Sequence, residues 1–104
     1  MHYFSIHTQN GIHTGFLIML PDDESESAPQ RGRLAVKLQS ENGILPPEAA
    51  VLQPYEGTDT PLFWAAVKDK VELSDGLKPF GSIRAEFLTV GGKTFILNDL
   101  TGAV

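Results

Sequence analysis

The stretch Tyr3-Phe4-Ser5-Ile6-His7-Thr8-Gln9-Asn10-Gly11-Ile12-His13-Thr14-Gly15-Phe16-Leu17-Ile18 decides the fold class. Its two halves alternate like strands around Asn10-Gly11, a dipeptide that suits the two positive-φ positions of a type I′ turn and matches the twist of flanking strands. The stretch therefore reads as a hairpin with Asn10 and Gly11 as its loop. In that register Thr8 faces His13, Ile6 faces Gly15 and Phe4 faces Leu17 on one face. Tyr3, Ser5, His7, Thr14, Phe16 and Ile18 occupy the other. Large apolar groups on both faces ask for cover on both sides.

A second hairpin closes the chain. Strand-like runs from Ile83 to Val90 and from Lys93 to Leu100 flank Gly91-Gly92. A two-residue loop there pairs Leu88 with Phe95, Phe87 with Ile96 and Thr89 with Thr94. Continued outward, the same register pairs Ile83 with Leu100 and sets Arg84 against Asp99 as a cross-strand ion pair.

Between the hairpins the signals are weaker. Residues 21–33 are acidic, Ser-rich and bounded by prolines, with no apolar period, and read as an exposed loop. Leu34 to Gln39 alternates as a strand. Ala49 to Gln53 reads as a short strand bounded by Pro46-Pro47 and Pro54. Thr60 to Leu73 fits two templates: a helix capped by Asp59 or Thr60 with Pro61 in its first turn, or a strand with Phe63, Ala65, Val67, Val71 and Leu73 on one side. Neighbouring strands tip the reading to strand. The expected fold is mainly β, a small antiparallel barrel or sandwich built from hairpins, with at most one short helix near residues 60–71. With 104 residues, the chain is read as one domain, able to bury about two-thirds of its unfolded surface.

Composition removes several functions. Eight basic against thirteen acidic residues give a net charge of −5, and the cations are scattered, which argues against a phosphate-neutralising nucleic-acid surface. No cysteine is present, so disulfides and thiolate metal sites are ruled out. The longest apolar run, residues 15–21, is too short to span a bilayer, and no basic leader precedes the first strand, so the expectation is a cytoplasmic protein with no membrane partner.

The chemical motifs are incomplete. Gly91-Gly92-Lys93-Thr94 resembles the end of a phosphate loop, but Phe87 stands where the first glycine belongs and a strand follows instead of a helix. His7 and His13 project to opposite faces in the hairpin register and His2 lies far along the strand, so the histidines are not expected to share a metal. Asp22, Asp23, Glu24 and Glu26 lack the spacing and the glycine of a calcium loop. No nucleophile elbow occurs. The cyclic-dinucleotide pattern of the PilZ domain is not met either: Arg31-Gly32-Arg33 is too closely spaced, and Glu72-Leu73-Ser74-Asp75-Gly76 places its glycine one residue early.

No catalytic, metal or cofactor residue is nominated. Tyr55, in a turn-like segment, and Trp64, off the best helical face, form the candidate binding patch, because amphipathic rings at part-exposed positions are enriched in contact surfaces. Capping the end of a core accounts for either ring as well. The leading expectation is a non-enzymatic, self-associating or protein-binding β module that uses an open sheet edge or this patch. The alternative is a closed barrel that binds a small molecule as a carrier or modest enzyme, and a closed sheet with a cavity is what separates the two.

Overall fold

The computed structural model describes residues 2–21, 30–39, 43–57 and 61–100. Eight antiparallel strands follow one another around a closed barrel: β1 (His2–His7), β2 (His13–Pro21), β3 (Arg31–Leu38), β4 (Leu62–Val67), β5 (Lys70–Ser74), β6 (Pro79–Arg84), β7 (Phe87–Val90) and β8 (Lys93–Asp99). Closure is made by β8 returning to β1, with Phe4 to His7 paired against Asp99 to Ile96. The small β-barrel expected from the sequence is therefore present. The open sheet edge expected for partner binding is not, because pairing the last strand with the first leaves no edge strand in the ring.

Alternation along the strands sends Ile6, Leu17, Met19, Leu34, Val36, Leu62, Trp64, Leu73, Ile83, Leu88, Val90, Phe95 and Leu97 into one core. An eight-stranded barrel is just wide enough to be filled by side chains or to hold one small ligand, and here side chains take most of the interior. Phe95, Ile6, Leu17, Leu73 and Leu88 are sealed from solvent, each worth about 1.5–3 kcal/mol of burial.

Three local readings differ from expectation. The strand reading of the stretch up to Leu73 holds over Leu62–Val67 and Lys70–Ser74 but is broken by a turn at Lys68-Asp69, and the short helical segment allowed near residues 60–71 lies instead at Pro47–Tyr55, as a 3-10 helix. The segment expected as a strand at Ala49 to Gln53 is thus helical. A 3-10 helix has three residues per turn, so Ala49, Leu52 and Tyr55 fall on one side; Ala49 and Leu52 are buried and Tyr55 packs on the core. The run from Ile83 to Val90 is not one strand: it folds back at Ala85, whose φ is +55°, so that Arg84 pairs with Phe87 and Ile83 with Leu88. That turn takes Arg84 away from Asp99, and its guanidinium lies instead 3.9 Å from Asp69 on the surface, a contact worth little in water. The acidic part of the expected loop, residues 22–29, lies outside the described residues, while Pro21 ends β2 and Arg31 to Arg33 begin β3.

The helix closes one end of the barrel, beside the two glycine loops. Val51 sits against Gly91, and Glu48 shares a polar recess with Thr8, Asn10 and Lys93. At the opposite end the strands leave a mouth.

Candidate functional site

Up-and-down antiparallel strands carry alternate residues to the mouth, where Phe4 and Met19 of the first hairpin meet Trp64 and Ala66 of β4, Val71 of β5 and Ile83 of β6. With His2 and Ala85 at the rim, these residues wall a recess of about 310 Å³. Its lining is apolar except for the His2 imidazole, which stacks with Phe4 at a centroid distance of 6.2 Å. Small-molecule sites are typically such apolar concavities with a few polar groups to orient the ligand, and this one is at the small end of their range.

Trp64, expected at a part-exposed position, is 5% exposed and belongs to the core. Its indole Nε1–H donates to the Leu20 carbonyl at 3.1 Å, reaching from β4 across β3 to β2. Gly32 makes that reach possible: a Cβ there would stand 1.8 Å from the Leu20 oxygen. Strand parity explains the burial, since Leu62 and Trp64 point inward and Phe63 outward, the reverse of the side favoured from the sequence. Tyr55 lies at the closed end, stacked on Phe80 at 3.9 Å. The two rings therefore do not make one patch; Trp64 alone lines the mouth.

The outer wall of β1 and β2 holds a second cluster. Tyr3 stacks on Phe16 at 5.5 Å, Phe16 meets His13 edge-on at 5.0 Å, and His13 meets His7 at 5.2 Å. The sequence register put the two histidines on opposite faces, and the structure pairs them directly. Two local features account for this. The loop spans three residues, with Gly11 N–H donating to the Thr8 carbonyl and Thr8 N–H to the Ile12 carbonyl, and only Gly11 has positive φ there, at +87°. Thr14 is then an extra residue in β2, a bulge that restores the pairing of Ile6 with Gly15. The bulge is anchored by the buried Thr14 hydroxyl, which donates to the Ile6 carbonyl at 3.0 Å.

Lys93 lies in a hairpin, with no helix following it, so the phosphate-loop geometry is not formed. No group of three or more His, Asp or Glu residues able to hold a metal occurs among the described residues. No helix there is long and apolar enough to cross a membrane.

No curated protein and no solved structure matches the chain. A family model does, described as HLGFF-containing, Neisseriales, and it spans residues 1–104. The run sharing most letters with HLGFF is His13-Thr14-Gly15-Phe16-Leu17, which has its His, Gly and Phe. In the structure that His and that Phe belong to the outer cluster, and a Cβ on Gly15 would stand 2.2 Å from the Lys37 carbonyl oxygen of β3. From its first residue to its last, the chain belongs to the HLGFF-containing family of Neisseriales.

Proposed function

We propose that the protein binds a small, largely apolar molecule in the mouth of its barrel. The observation that carries this reading is the asymmetry of the two ends: the recess beside the helix, about 320 Å³, is lined by polar residues such as Thr8, Glu48 and Lys93, while the mouth opens on a recess of about 310 Å³ walled by Phe4, Met19, Trp64, Val71 and Ile83. A lining that is apolar apart from the His2 imidazole favours carriage or sensing over turnover.

Trp64 is the only tryptophan, so its emission reports on the mouth. Titration with a fluorescent apolar probe or a medium-chain fatty acid is expected to change that emission saturably, and native mass spectra are expected to retain a ligand. Ala66→Phe, which fills the mouth from an exposed position, should weaken binding at least tenfold with the fold intact. Unchanged binding in Ala66→Phe, or no saturable change with either ligand class, would sink the proposal.

A second reading, association with another copy of the chain through the outer wall, is favoured by one observation: Tyr3, Phe16, Ile18 and Ile96 are apolar and only half-buried on the outside of the barrel. Sedimentation at micromolar concentration tests it. A dimer that dissociates in Phe16→Glu supports it, and a monomer throughout rejects it.

A further inference from the structure

We infer that His7 and His13 form a two-imidazole chelate for a transition-metal ion of the Zn²⁺, Ni²⁺ or Cu²⁺ type on the outer wall of the barrel. The two residues are direct partners across adjacent antiparallel strands, with ring centroids 5.2 Å apart and planes inclined at 62°. A tetrahedral ion with bonds of about 2.1 Å needs two nitrogens roughly 3.4 Å apart, and imidazoles whose centroids lie 5.2 Å apart are close enough for their facing nitrogens to approach that spacing. Imidazole suits this group of metals, whereas calcium and magnesium prefer oxygen donors.

The surroundings hold the pair in place. Ser5 Oγ lies 2.9 Å from Nε2 of His7; with the proton on Nε2 donated to that hydroxyl, Nδ1 keeps the lone pair a metal takes. Such an outer partner fixes ring orientation and raises ligand basicity. Phe16 packs edge-on against His13 at 5.0 Å, limiting its rotation. Both imidazoles are half-buried, which reduces their freedom and still leaves them open to solvent. Two protein ligands leave coordination positions for water or for a donor from another molecule. The chelate depends on the Thr14 bulge, because an unbulged hairpin would place the rings on opposite faces of the sheet.

The test uses the full chain without an affinity tag, titrated at pH 7.5 with Zn²⁺ and Ni²⁺ and read by calorimetry and by imidazole proton NMR. One ion per chain is expected, with the His7 and His13 ring signals shifting and those of His2 unmoved. His7→Ala and His13→Ala should each lower affinity at least tenfold, Ser5→Ala by several-fold, and His2→Ala not at all. The inference is overturned if no saturable binding appears below millimolar metal, if His2→Ala costs as much as His7→Ala, or if wild-type titration moves the His2 signals and leaves those of His7 and His13 in place. The wild-type NMR result stands even if a variant fails to fold. The site is remote from the mouth, so its failure leaves the ligand proposal untouched.

Discussion

The two hairpins at the ends of the chain look alike as sequence and are built differently. At Gly91-Gly92 both glycines have positive φ, +57° and +79°, and the strands pair in register from Val90–Lys93 to Phe87–Ile96. At Asn10-Gly11 only the glycine has positive φ, the loop is one residue longer, and Thr14 bulges to recover the register beyond it. Asn-Gly satisfies both solutions: a type I′ turn places it at both central positions, and a three-residue loop needs only a glycine at its last position. The dipeptide announces a hairpin without choosing its register. The choice is consequential, since a one-residue slip exchanges the faces of every side chain it reaches and here it unites His7 with His13.

The most severe way to break the first hairpin is Gly15→Val. Its Cβ would meet the Lys37 carbonyl oxygen at 2.2 Å, and neither backbone can yield without parting β2 from β3. A loss of about 3 kcal/mol or more is expected in urea unfolding; a midpoint close to wild type would show that the strands do not approach as described. Thr14→Val keeps the volume at the bulge and removes the hydroxyl that donates to Ile6. It should cost about 1–2 kcal/mol, and it should also weaken metal binding if the bulge holds the histidines together.

The sharpest comparison uses matched positions. Gly91→Ala places a side chain at φ +57°, with Val51 only 3.2 Å from the new Cβ, and is expected to cost about 1 kcal/mol or more. Asn10→Ala, at the corresponding place in the other loop, has no positive φ to maintain and should stay within about 0.5 kcal/mol. Equal costs would mean that the two loops share one geometry.

The smallest effect belongs to a turn held by a side chain. The Asp75 carboxylate accepts the amide protons of Lys78 and Leu77 at 3.0 and 2.9 Å, and these bonds hold its pKa below the ordinary 3.8. A carboxyl with a depressed folded pKa stabilises the protein above its unfolded pKa, and that contribution disappears as pH falls from about 3.8 through the folded value. Asp75→Ala should therefore be slightly less stable than wild type at neutral pH, with the gap closing at strongly acid pH. A gap that widens on acidification contradicts the assignment.

The candidate sites differ in legibility for the same kind of reason. Trp64 could be named from sequence as a ring to watch, but its neighbours in the mouth come from β1, β2, β4, β5 and β6 and meet only because the sheet closes. Burial of Trp64 rests on strand parity, which Leu62-Phe63-Trp64-Ala65 leaves ambiguous because every residue in it is apolar. The helix at Pro47–Tyr55 had a readable signal: Ala49, Leu52 and Tyr55 at intervals of three, next to prolines that disfavour a ladder. The fold-back at Ala85 had none, since no Gly, Pro, Asn or Asp marks it, and tertiary pairing imposes the positive φ on an ordinary residue.

By itself the sequence determined that the chain is β-rich, where its two terminal hairpins turn, and how β7 pairs with β8. These are local matters of alternation and of residues that tolerate positive φ. Only the tertiary structure decided that the last strand returns to the first, which end of the barrel is covered by a helix and which opens on an apolar recess, and that two histidines meet on the outer wall. Closure joins Ile6 to Leu97 across most of the chain, and no local pattern encodes a pairing between residues so far apart. It becomes favourable only when all eight strands bury their inward faces together.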